Sequence, residues 1–321
     1  MKPSEKQRIL QTRGGNQMEQ LRQMSDGHMI FTNQFDPEGT CIGHIHILHG
    51  MTEHSGRYEE FARELSAVGY VVTMHDHRGH GKTALHNGKL GFFAEQDGFT
   101  RVVEDVHEIV SAMHEPFADV PLILFGHSMG SFITRRYIQL YGEAVDRVIL
   151  CGTGAVSTLH KVGHYVAVAL AKQYGKDVES PLLNELSFGS FNKQFPSPKT
   201  AYDWLCSVEP EVKKYIDDPY CGFIPTNQFF ADLTKGFMEL NRKKEIEKVN
   251  KKLPILLISG SKDPVGEQGA GVYRVAEQYH EAGLEDVTVY LFEDKRHEIL
   301  NENNKQAVYQ VLLRWLNKYD T

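Results

Sequence analysis

The sequence has few cysteines, and no pattern among them indicates a metal site or a disulfide framework. Four cysteines occur in 321 residues, at the distant positions Cys41, Cys151, Cys206 and Cys221. No two of them are separated by two residues, the spacing typical of zinc and redox motifs. A chain of this length buries enough surface to fold without such cross-links. We therefore expect small buried thiols in a reducing compartment and no structural metal.

Long apolar runs and a surplus of positive charge are also absent. No window approaches the roughly 18 apolar residues of a membrane-spanning helix, and the first twenty residues are polar, unlike a secretion signal. Lysine and arginine number 35 against 42 acidic residues, a net charge of −7, whereas nucleic-acid binding normally requires a basic face. The sequence predicts a cytoplasmic protein with no transmembrane segment and no nucleic-acid partner.

Short apolar, β-branched runs alternate with helical periods along most of the chain. The runs that predict buried strands are 42–48, 70–74, 122–125, 147–151, 253–258 and 287–292. The segments with apolar residues at helical spacing are 58–68, 99–113, 132–140 and 304–319. Alternation of this kind predicts an α/β protein with a mostly parallel, doubly wound sheet.

One long interval breaks this rhythm. About a hundred residues separate the strand ending at 151 from the next one, far more than a crossover connection needs. The interval is rich in aromatic residues, and its prolines keep the helical periods short. We interpret 153–252 as a helical cap inserted into a core formed by 1–152 and 253–321. Ordinary packing in a second domain is the alternative.

The strongest local motif is Gly126-His127-Ser128-Met129-Gly130, which lies between an apolar strand and a helical period. In that setting G-x-S-x-G is a nucleophile elbow, a sharp turn that exposes the serine hydroxyl. The two glycines leave room for the strained turn, because side chains there would clash. The pattern predicts Ser128 as a nucleophile.

A serine hydroxyl needs a base, and in this arrangement an acid and then a histidine follow the serine along the chain. Asp263 directly follows one predicted strand, and His297 follows the next. Loops at the carboxyl ends of parallel strands converge, so these side chains are expected near Ser128. The sequence predicts a catalytic triad of Ser128, Asp263 and His297.

Other residues compete for these roles. Asp263 precedes a proline and could be a turn residue, and His297 could be an ordinary surface residue. Among the histidines after Asp263, His280 lies in a helical period, which favours His297. Asp294 and Glu298 flank His297, but Asp263 matches the expected acid position better.

Two backbone N–H groups are expected to form the oxyanion hole. Residues 45–51 read as a strand followed by a His-Gly turn, which places the N–H of Met51 opposite that of Met129. Fixed donors of this kind are each worth a factor of ~10² to 10³ in turnover.

The segment after the second strand imitates a nucleotide-binding loop. A Walker motif requires glycine where Asp76 stands, and the match fails. Gly79-x-Gly81-x-x-Ala84 imitates a dinucleotide fingerprint, but no helical period follows that could supply a helix N-terminus. We expect a glycine-rich turn here and no cofactor.

Two pairs of histidines, His44 with His46 and His75 with His77, resemble the ligand pairs of metallohydrolases. Alternation along a strand puts both members of the first pair on one face of the sheet. No carboxylate stands at ligand spacing in that segment, so hydrogen-bonded strand histidines are the favoured interpretation.

Four motifs resemble the monoacylglycerol lipase and lysophospholipase branch of the α/β-hydrolase superfamily, which is also grouped with serine aminopeptidases. They are HGMTEHSGRY (49–58), HDHRGHGKT (75–83), GHSMGS (126–131), and the pair SGSKDPVG (259–266) and RHEILNE (296–302). In the proposed cap, FGSFNKQF, DWLC and DPYCGF resemble segments of bacterial members. The resemblance implies an α/β-hydrolase fold, Ser128 as nucleophile with Asp263 and His297, and Met51 and Met129 as oxyanion donors.

The sequence therefore predicts a cofactor-independent serine hydrolase of carboxylic esters, with single-acyl-chain lipids as substrates. A general carboxylesterase or an amide or peptide hydrolase would use the same triad. A binding protein on a hydrolase scaffold is a third class, although such proteins usually lack a triad residue. Weak membrane-surface contact through the cap and the oligomeric state are left open.

Overall fold

Strands and helices alternate through the part of the chain that the structure, a computed structural model, describes: residues 12–14 and 16–319. The strands are β1 (Thr12–Gly14), β2 (Gln17–Gln23), β3 (Met29–Phe35), β4 (Gly43–Leu48), β5 (Tyr70–His75), β6 (Leu122–His127), β7 (Arg147–Cys151), β8 (Ile255–Gly260) and β9 (Val287–Phe292). The helices are α1 (Glu59–Ala67), α2 (Gly81–Asn87), α3 (Gly98–His114), α4 (Met129–Tyr141), α5 (Thr158–Tyr174), α6 (Pro181–Phe188), α7 (Glu209–Asp217), α8 (Asn227–Leu240), α9 (Lys243–Ile246), α10 (Ala270–Glu281) and α11 (Lys305–Asn317).

The strands form one nine-stranded sheet in the order β1-β2-β3-β5-β4-β6-β7-β8-β9. Neighbours from β5 to β9 pair in parallel, whereas β1, β2 and β3 form an antiparallel edge that joins β5. The six strands from β4 to β9 were predicted from their apolar runs, and the predicted α/β class with a mostly parallel sheet is confirmed.

Each face of the sheet is covered by its own apolar cluster. On one face, alternate residues of the central strands pack against α3, α4, α8 and α10. On the other face, the intervening residues pack against α1 and α11. Both faces of β4 to β8 are therefore buried, which explains why most of these strands read as nearly continuous apolar runs instead of alternating, whereas the edge strand β9 is mostly half-buried.

The antiparallel edge was not predicted. All of β2 except its last residue is half-buried, and its sequence QMEQLRQ is mostly polar. Such an edge strand has no continuous apolar run that separates it from a loop. The predicted absence of a secretion signal falls largely on residues 1–11 and 15, outside the described residues.

The segment after β5 corrects one expectation. A helix, α2, does begin at Gly81, although the sequence suggested no helical period there; seven residues are too few to establish one. Its first turn is occupied, because the N–H of Lys82 donates to the Asp76 carboxylate at 2.7 Å. A negative charge thus stands where a phosphate would have to bind.

The interval predicted as a cap contains α5 to α9 between β7 and β8. A separate apolar cluster lies around α7, with Phe195, Trp204, Leu205, Cys206, Val212, Tyr215 and Cys221. Helix α8 packs on α5 and also reaches the core helices α3 and α4. No helix among the described residues has the length and apolar content needed to cross a membrane.

Candidate active site

Ser128 stands at the turn between β6 and α4, with Gly126 and His127 at the end of the strand. Its backbone has φ 50° and ψ −119°, a strained combination for a residue with a side chain. Gly130 makes the turn sterically feasible, because a Cβ there would collide with the Leu48 carbonyl oxygen. The turn leaves Ser128 partly exposed while its neighbours are buried.

Asp263 and His297 are brought together by the loops that follow β8 and β9. His297 Nδ1 lies 2.9 Å from both carboxylate oxygens of Asp263. The carboxylate is held on its other side by the Ser259 hydroxyl and the N–H of Val265, each at 2.9 Å. With exposures of 0% and 1%, Asp263 and His297 are shielded from water, which strengthens their interaction.

This contact moves the two pKa values apart. Burial alone would raise the pKa of Asp263, but the charge and hydrogen bond of His297 lower it below its usual range. Burial would likewise lower the pKa of His297, but the Asp263 carboxylate raises it. The arrangement therefore favours an ionised Asp263 that stabilises a protonated imidazole.

Ser128 and His297 line the same cavity. Among the described residues, no direct hydrogen bond joins the Ser128 hydroxyl to the His297 imidazole. Such bonds are often long without substrate and tighten when it binds. The structure thus places all three predicted residues in one region and joins two of them directly.

The predicted oxyanion donors come from loops in contact with each other. A Cβ on Gly50 would lie 3.1 Å from the Ser128 Cβ, so the turn carrying Met51 packs against the elbow. In the described part of the chain, the backbone N–H groups of Met51 and Met129 donate to no protein acceptor. Both are therefore available to an oxyanion near Ser128.

A buried ion-pair network beneath this turn was not found from the sequence. Arg57 donates to Glu53 at 2.5 Å and, through two N–H groups, to Glu298 at 2.5 and 2.7 Å. Glu53 also accepts from the N–H of Gly50 at 2.5 Å and from the Tyr58 hydroxyl at 2.7 Å. The network links the Met51 turn to the residue after His297.

Arg57 compensates both carboxylates. Burial would lower its pKa, but Glu298 and Glu53 together raise it. Burial would in turn raise the pKa of Glu298, and Arg57 lowers it well below the usual value. Within HGMTEHSGRY, the four-residue spacing of Glu53 and Arg57 was a signal for half of this network; Glu298 is distant in sequence.

Replacing Arg57 with methionine should lower the free energy of unfolding by roughly 3 to 5 kcal/mol, because two buried carboxylates would lose their partner. Urea denaturation at pH 7 measures the change. Arg63→Met is the matched control, since Arg63 and Glu59 are 57% and 40% exposed and 3.6 Å apart; it should cost less than about 1 kcal/mol. Equal losses in the two variants would contradict the assigned role of Arg57.

Residues of the proposed cap cover the cavity at Ser128. The cavity has a volume of about 110 Å³, and its cap residues include Phe188, Tyr202, Trp204, Tyr215 and Phe223. The Trp204 ring lies 5.1 Å from the His297 ring, centroid to centroid. Aromatic side chains thus form an apolar roof directly over the reactive groups.

A second cavity of about 570 Å³ adjoins the first and shares Glu53, His127 and Glu298 with it. Charged residues of α1 and α7 contribute to its lining, so it is more polar than the space under the aromatic roof. His127 lines both cavities, with the aromatic cap residues on one side and the charged residues of α1 and α7 on the other.

Metal-ligating side chains converge at one place in the described residues, where donor atoms of His54, Asp218 and Cys221 lie within 4.8 Å of one another. His54 Nε2 already hydrogen-bonds Asp218 at 2.9 Å, and burial raises the pKa of the Cys221 thiol. A protonated thiol is a poor ligand. This group connects the proposed cap to the core.

Known proteins resemble this chain over most of its length. A family model described as serine aminopeptidase, S33, matches residues 40–304. The monoacylglycerol lipase of Mycolicibacterium smegmatis is 27% identical over 290 residues, 89% of this chain and 91% of that protein. The monoglyceride lipase of Homo sapiens is 28% identical over 303 residues, 92% of this chain and 88% of that protein.

A solved structure is also similar: a highly thermostable carboxyl esterase from Bacillus coagulans in complex with glycerol. It superposes with a TM-score of 0.90 and 28% identity, covering 96% of this chain and 100% of that one. Coverage this complete includes the helices between β7 and β8 as well as the sheet.

Proposed function

This chain belongs to the serine aminopeptidase S33 family and is an ester hydrolase with the α/β-hydrolase fold, and on that basis we propose that it hydrolyses single-acyl-chain lipid esters through an acyl-enzyme on Ser128. The observation that carries the proposal is the position of Ser128 and the Asp263–His297 pair beneath an aromatic roof. Monoacylglycerols and lysophospholipids are the proposed substrates.

In the first half-reaction, His297 Nε2 accepts the proton of the Ser128 hydroxyl while its oxygen attacks the ester carbonyl carbon. Asp263 holds Nδ1 protonated and stabilises the imidazolium. The negative oxygen of the tetrahedral intermediate lies against the N–H groups of Met51 and Met129. His297 then gives the proton to the departing alcohol, leaving the acyl group on Ser128.

In the second half-reaction, water takes the place of the alcohol. His297 accepts its proton while the water oxygen attacks the acyl carbon. As the intermediate collapses, the bond from the acyl carbon to Ser128 Oγ breaks and His297 gives the proton to Oγ. The products are a free fatty acid and the original enzyme. No external cofactor takes part in either half.

The lining of the cavity favours an acyl chain over a charged peptide. A volume of about 110 Å³ approaches that of an engineered protein cavity, about 150 Å³, that binds benzene. The first carbons of an acyl chain therefore fit directly, and longer chains require the cap helices to separate. We propose that 153–252 acts as this cap and selects the acyl group.

An aminopeptidase would need a free carboxylate for the substrate ammonium group. Of the carboxylates that line the cavity, Glu53 and Glu298 are paired with Arg57, and Glu185 is exposed. Glu185 is left, and because it is exposed, water weakens its attraction for an ammonium group. The pairing of the two buried carboxylates therefore favours esters over aminoacyl amides.

Lengthening the acyl group of a p-nitrophenyl ester from two to eight carbons should raise kcat/KM by about 10²-fold. Roughly four newly buried methylenes at ~0.8 kcal/mol each account for this factor. Initial rates below the critical micelle concentration measure it. A flat series, or faster cleavage of aminoacyl amides, would contradict the lipid substrate.

Phe188→Ala tests whether the roof provides this selectivity. The variant should lose most of the preference for eight carbons while retaining activity on acetate. Tyr174→Ala is the control, because Tyr174 ends α5 and is 61% exposed; its chain-length series should match that of the wild type.

A further inference from the structure

Four histidines and a threonine are buried side by side on β4 and β5, away from the triad. His44 and His46 project from one face of β4, and the parallel register sets His46 beside Thr73. His75 follows on β5 and His77 just beyond it. All five are at most 1% exposed, although this face is otherwise apolar.

These side chains form a continuous series of hydrogen bonds. His44 Nδ1 lies 3.0 Å from Nδ1 of the half-buried His114, and His44 Nε2 lies 2.6 Å from the Thr73 hydroxyl oxygen. The Thr73 hydroxyl oxygen also lies 2.7 Å from His46 Nδ1, and His46 Nε2 lies 2.9 Å from His75 Nδ1. We refer to His114, His44, Thr73, His46, His75, His77 and His49 as the histidine chain.

The histidine chain ends at the turn that carries Met51. His75 Nε2 lies 2.9 Å from His77 Nδ1, and His77 Nε2 lies 3.2 Å from the carbonyl oxygen of His49. The N–H of His77 donates to His49 Nε2 at 2.9 Å. His49 Nδ1 in turn lies 2.7 Å from the Gly50 carbonyl oxygen.

The two terminal carbonyls determine where the protons are at this end of the histidine chain. A carbonyl only accepts, so His77 carries its proton on Nε2 and His49 carries its proton on Nδ1. His77 Nδ1 is then an acceptor, which requires His75 to donate from Nε2.

The same logic extends to the surface. His46 must donate from Nε2 to His75, and the Thr73 hydroxyl must donate to His46 Nδ1. Thr73 has one proton, so it accepts from His44 Nε2, and His114 must donate to His44 Nδ1. Every bond therefore runs in one direction, towards the turn at Gly50.

The imidazoles inside the fold remain neutral. Burial lowers the pKa of His46, His75 and His77 well below the usual value, and neighbouring histidines lower it further. A neutral imidazole has one donor and one acceptor, as the directed series requires. The final carbonyl cannot take up a proton, so the histidine chain does not deliver protons to Ser128.

The Gly50–Met51 peptide shows what the histidine chain does. In a planar trans peptide, the C=O and the following N–H point in opposite directions. Because His49 Nδ1 holds the Gly50 carbonyl, the N–H of Met51 is aimed the other way. The preceding peptide is clamped on both sides, with its C=O held by His77 and its N–H held by Glu53.

We propose that the histidine chain is a positioning device that fixes the Gly50 and His49 carbonyls so that the N–H of Met51 faces the oxyanion. The proposal rests on the proposed oxyanion role of Met51. The members of the histidine chain are positioning residues, since they act on the reaction through the backbone of the turn that carries Met51.

The tautomers test the proposal without catalysis. Long-range ¹H–¹⁵N spectra of the full chain labelled with ¹⁵N-histidine, at pH 7, report which ring nitrogen carries each proton. We expect Nε2–H for His44, His46, His75 and His77, and Nδ1–H for His49, with single substitutions providing the assignments. Nδ1–H at His75 or His77, or Nε2–H at His49, would overturn the directed series.

Substitution of His77 tests the consequence for turnover. His77→Phe removes the donor to His49 and should lower kcat by about 10- to 10²-fold, the range expected for misplacing a reacting group, with KM within twofold. His77→Gln supplies an amide N–H near the same point and should restore most of kcat. His280→Phe, at an exposed histidine of α10, should match the wild type.

Wild-type kcat in His77→Phe would contradict the positioning role. If His77→Phe does not fold, two measurements still test the positioning role: kcat of His77→Gln, which should be close to that of the wild type, and the tautomers of the wild-type histidines. If the spectra show the predicted tautomers but a fluorophosphonate does not label Ser128, the proposed function is rejected and the directed series of hydrogen bonds stands. The two proposals therefore fail separately.

Discussion

Replacing Ser128 with alanine should lower kcat for ester hydrolysis by roughly 10⁶-fold, the size of effect seen when a serine nucleophile is removed. The loss should leave the fold intact, because Ser128 is partly exposed and its hydroxyl does not connect elements of the structure. Steady-state rates with a p-nitrophenyl ester, together with circular dichroism, measure both quantities.

Ser131→Ala is the matched control, since Ser131 lies in the same turn and donates to the Ser128 carbonyl at 2.6 Å. Its kcat should fall by less than about 10-fold, in keeping with one lost neutral hydrogen bond. Adding His297→Ala to Ser128→Ala should cost little more, because residues that act as a unit are not additive. An additive loss would mean that Ser128 and His297 act in separate steps.

Replacing Asp263 with asparagine should lower kcat by about 10⁴-fold. The amide would donate to His297 Nδ1 and favour the wrong tautomer of the base.

The pH dependence of kcat/KM provides a second test of Asp263. The Asp263 carboxylate raises the pKa of His297, and His297 must be neutral to act as the base. In the wild type, kcat/KM should therefore fall as the pH drops through a value above 6.5. In Asp263→Asn this fall should move to lower pH.

Asp294→Asn is the matched control, because Asp294 is also an acid but is near His297 only in sequence. Asp294 is exposed and pairs with Lys262 at 2.6 Å, so its variant should keep both the wild-type kcat and the wild-type pH profile. A pH profile that moves in Asp294→Asn and not in Asp263→Asn would reject Asp263 as the partner of His297.

The main features of the fold were predictable because β4 to β8 are buried on both faces and, like the edge strand β9, read as largely apolar runs. Positions at the carboxyl ends of those strands then follow from topology. On that basis Asp263 and His297, 34 residues apart, were expected to approach each other, and their side chains are 2.9 Å apart. Neither the antiparallel edge nor α2 has enough apolar periodicity to be recognised.

The polar networks could not be predicted, because they depend on register between strands. His46 and Thr73 become neighbours only when β4 and β5 pair as they do, and Glu298 meets Arg57 across 241 positions of the sequence. The histidines at 44, 46, 75 and 77 resembled metal-ligand pairs, although hydrogen-bonded strand histidines were the favoured interpretation. The sequence did not indicate their partners: His75 contacts His46 and His77 directly, and Thr73 joins His44 to His46.

Locating the acyl group during turnover tests the central claim most directly. Wild-type protein mixed with excess p-nitrophenyl octanoate and quenched in acid within milliseconds should carry one octanoyl group per chain, and peptide mass spectrometry should place it on Ser128. An acyl group on another residue would contradict the account, as would rapid ester hydrolysis by Ser128→Ala.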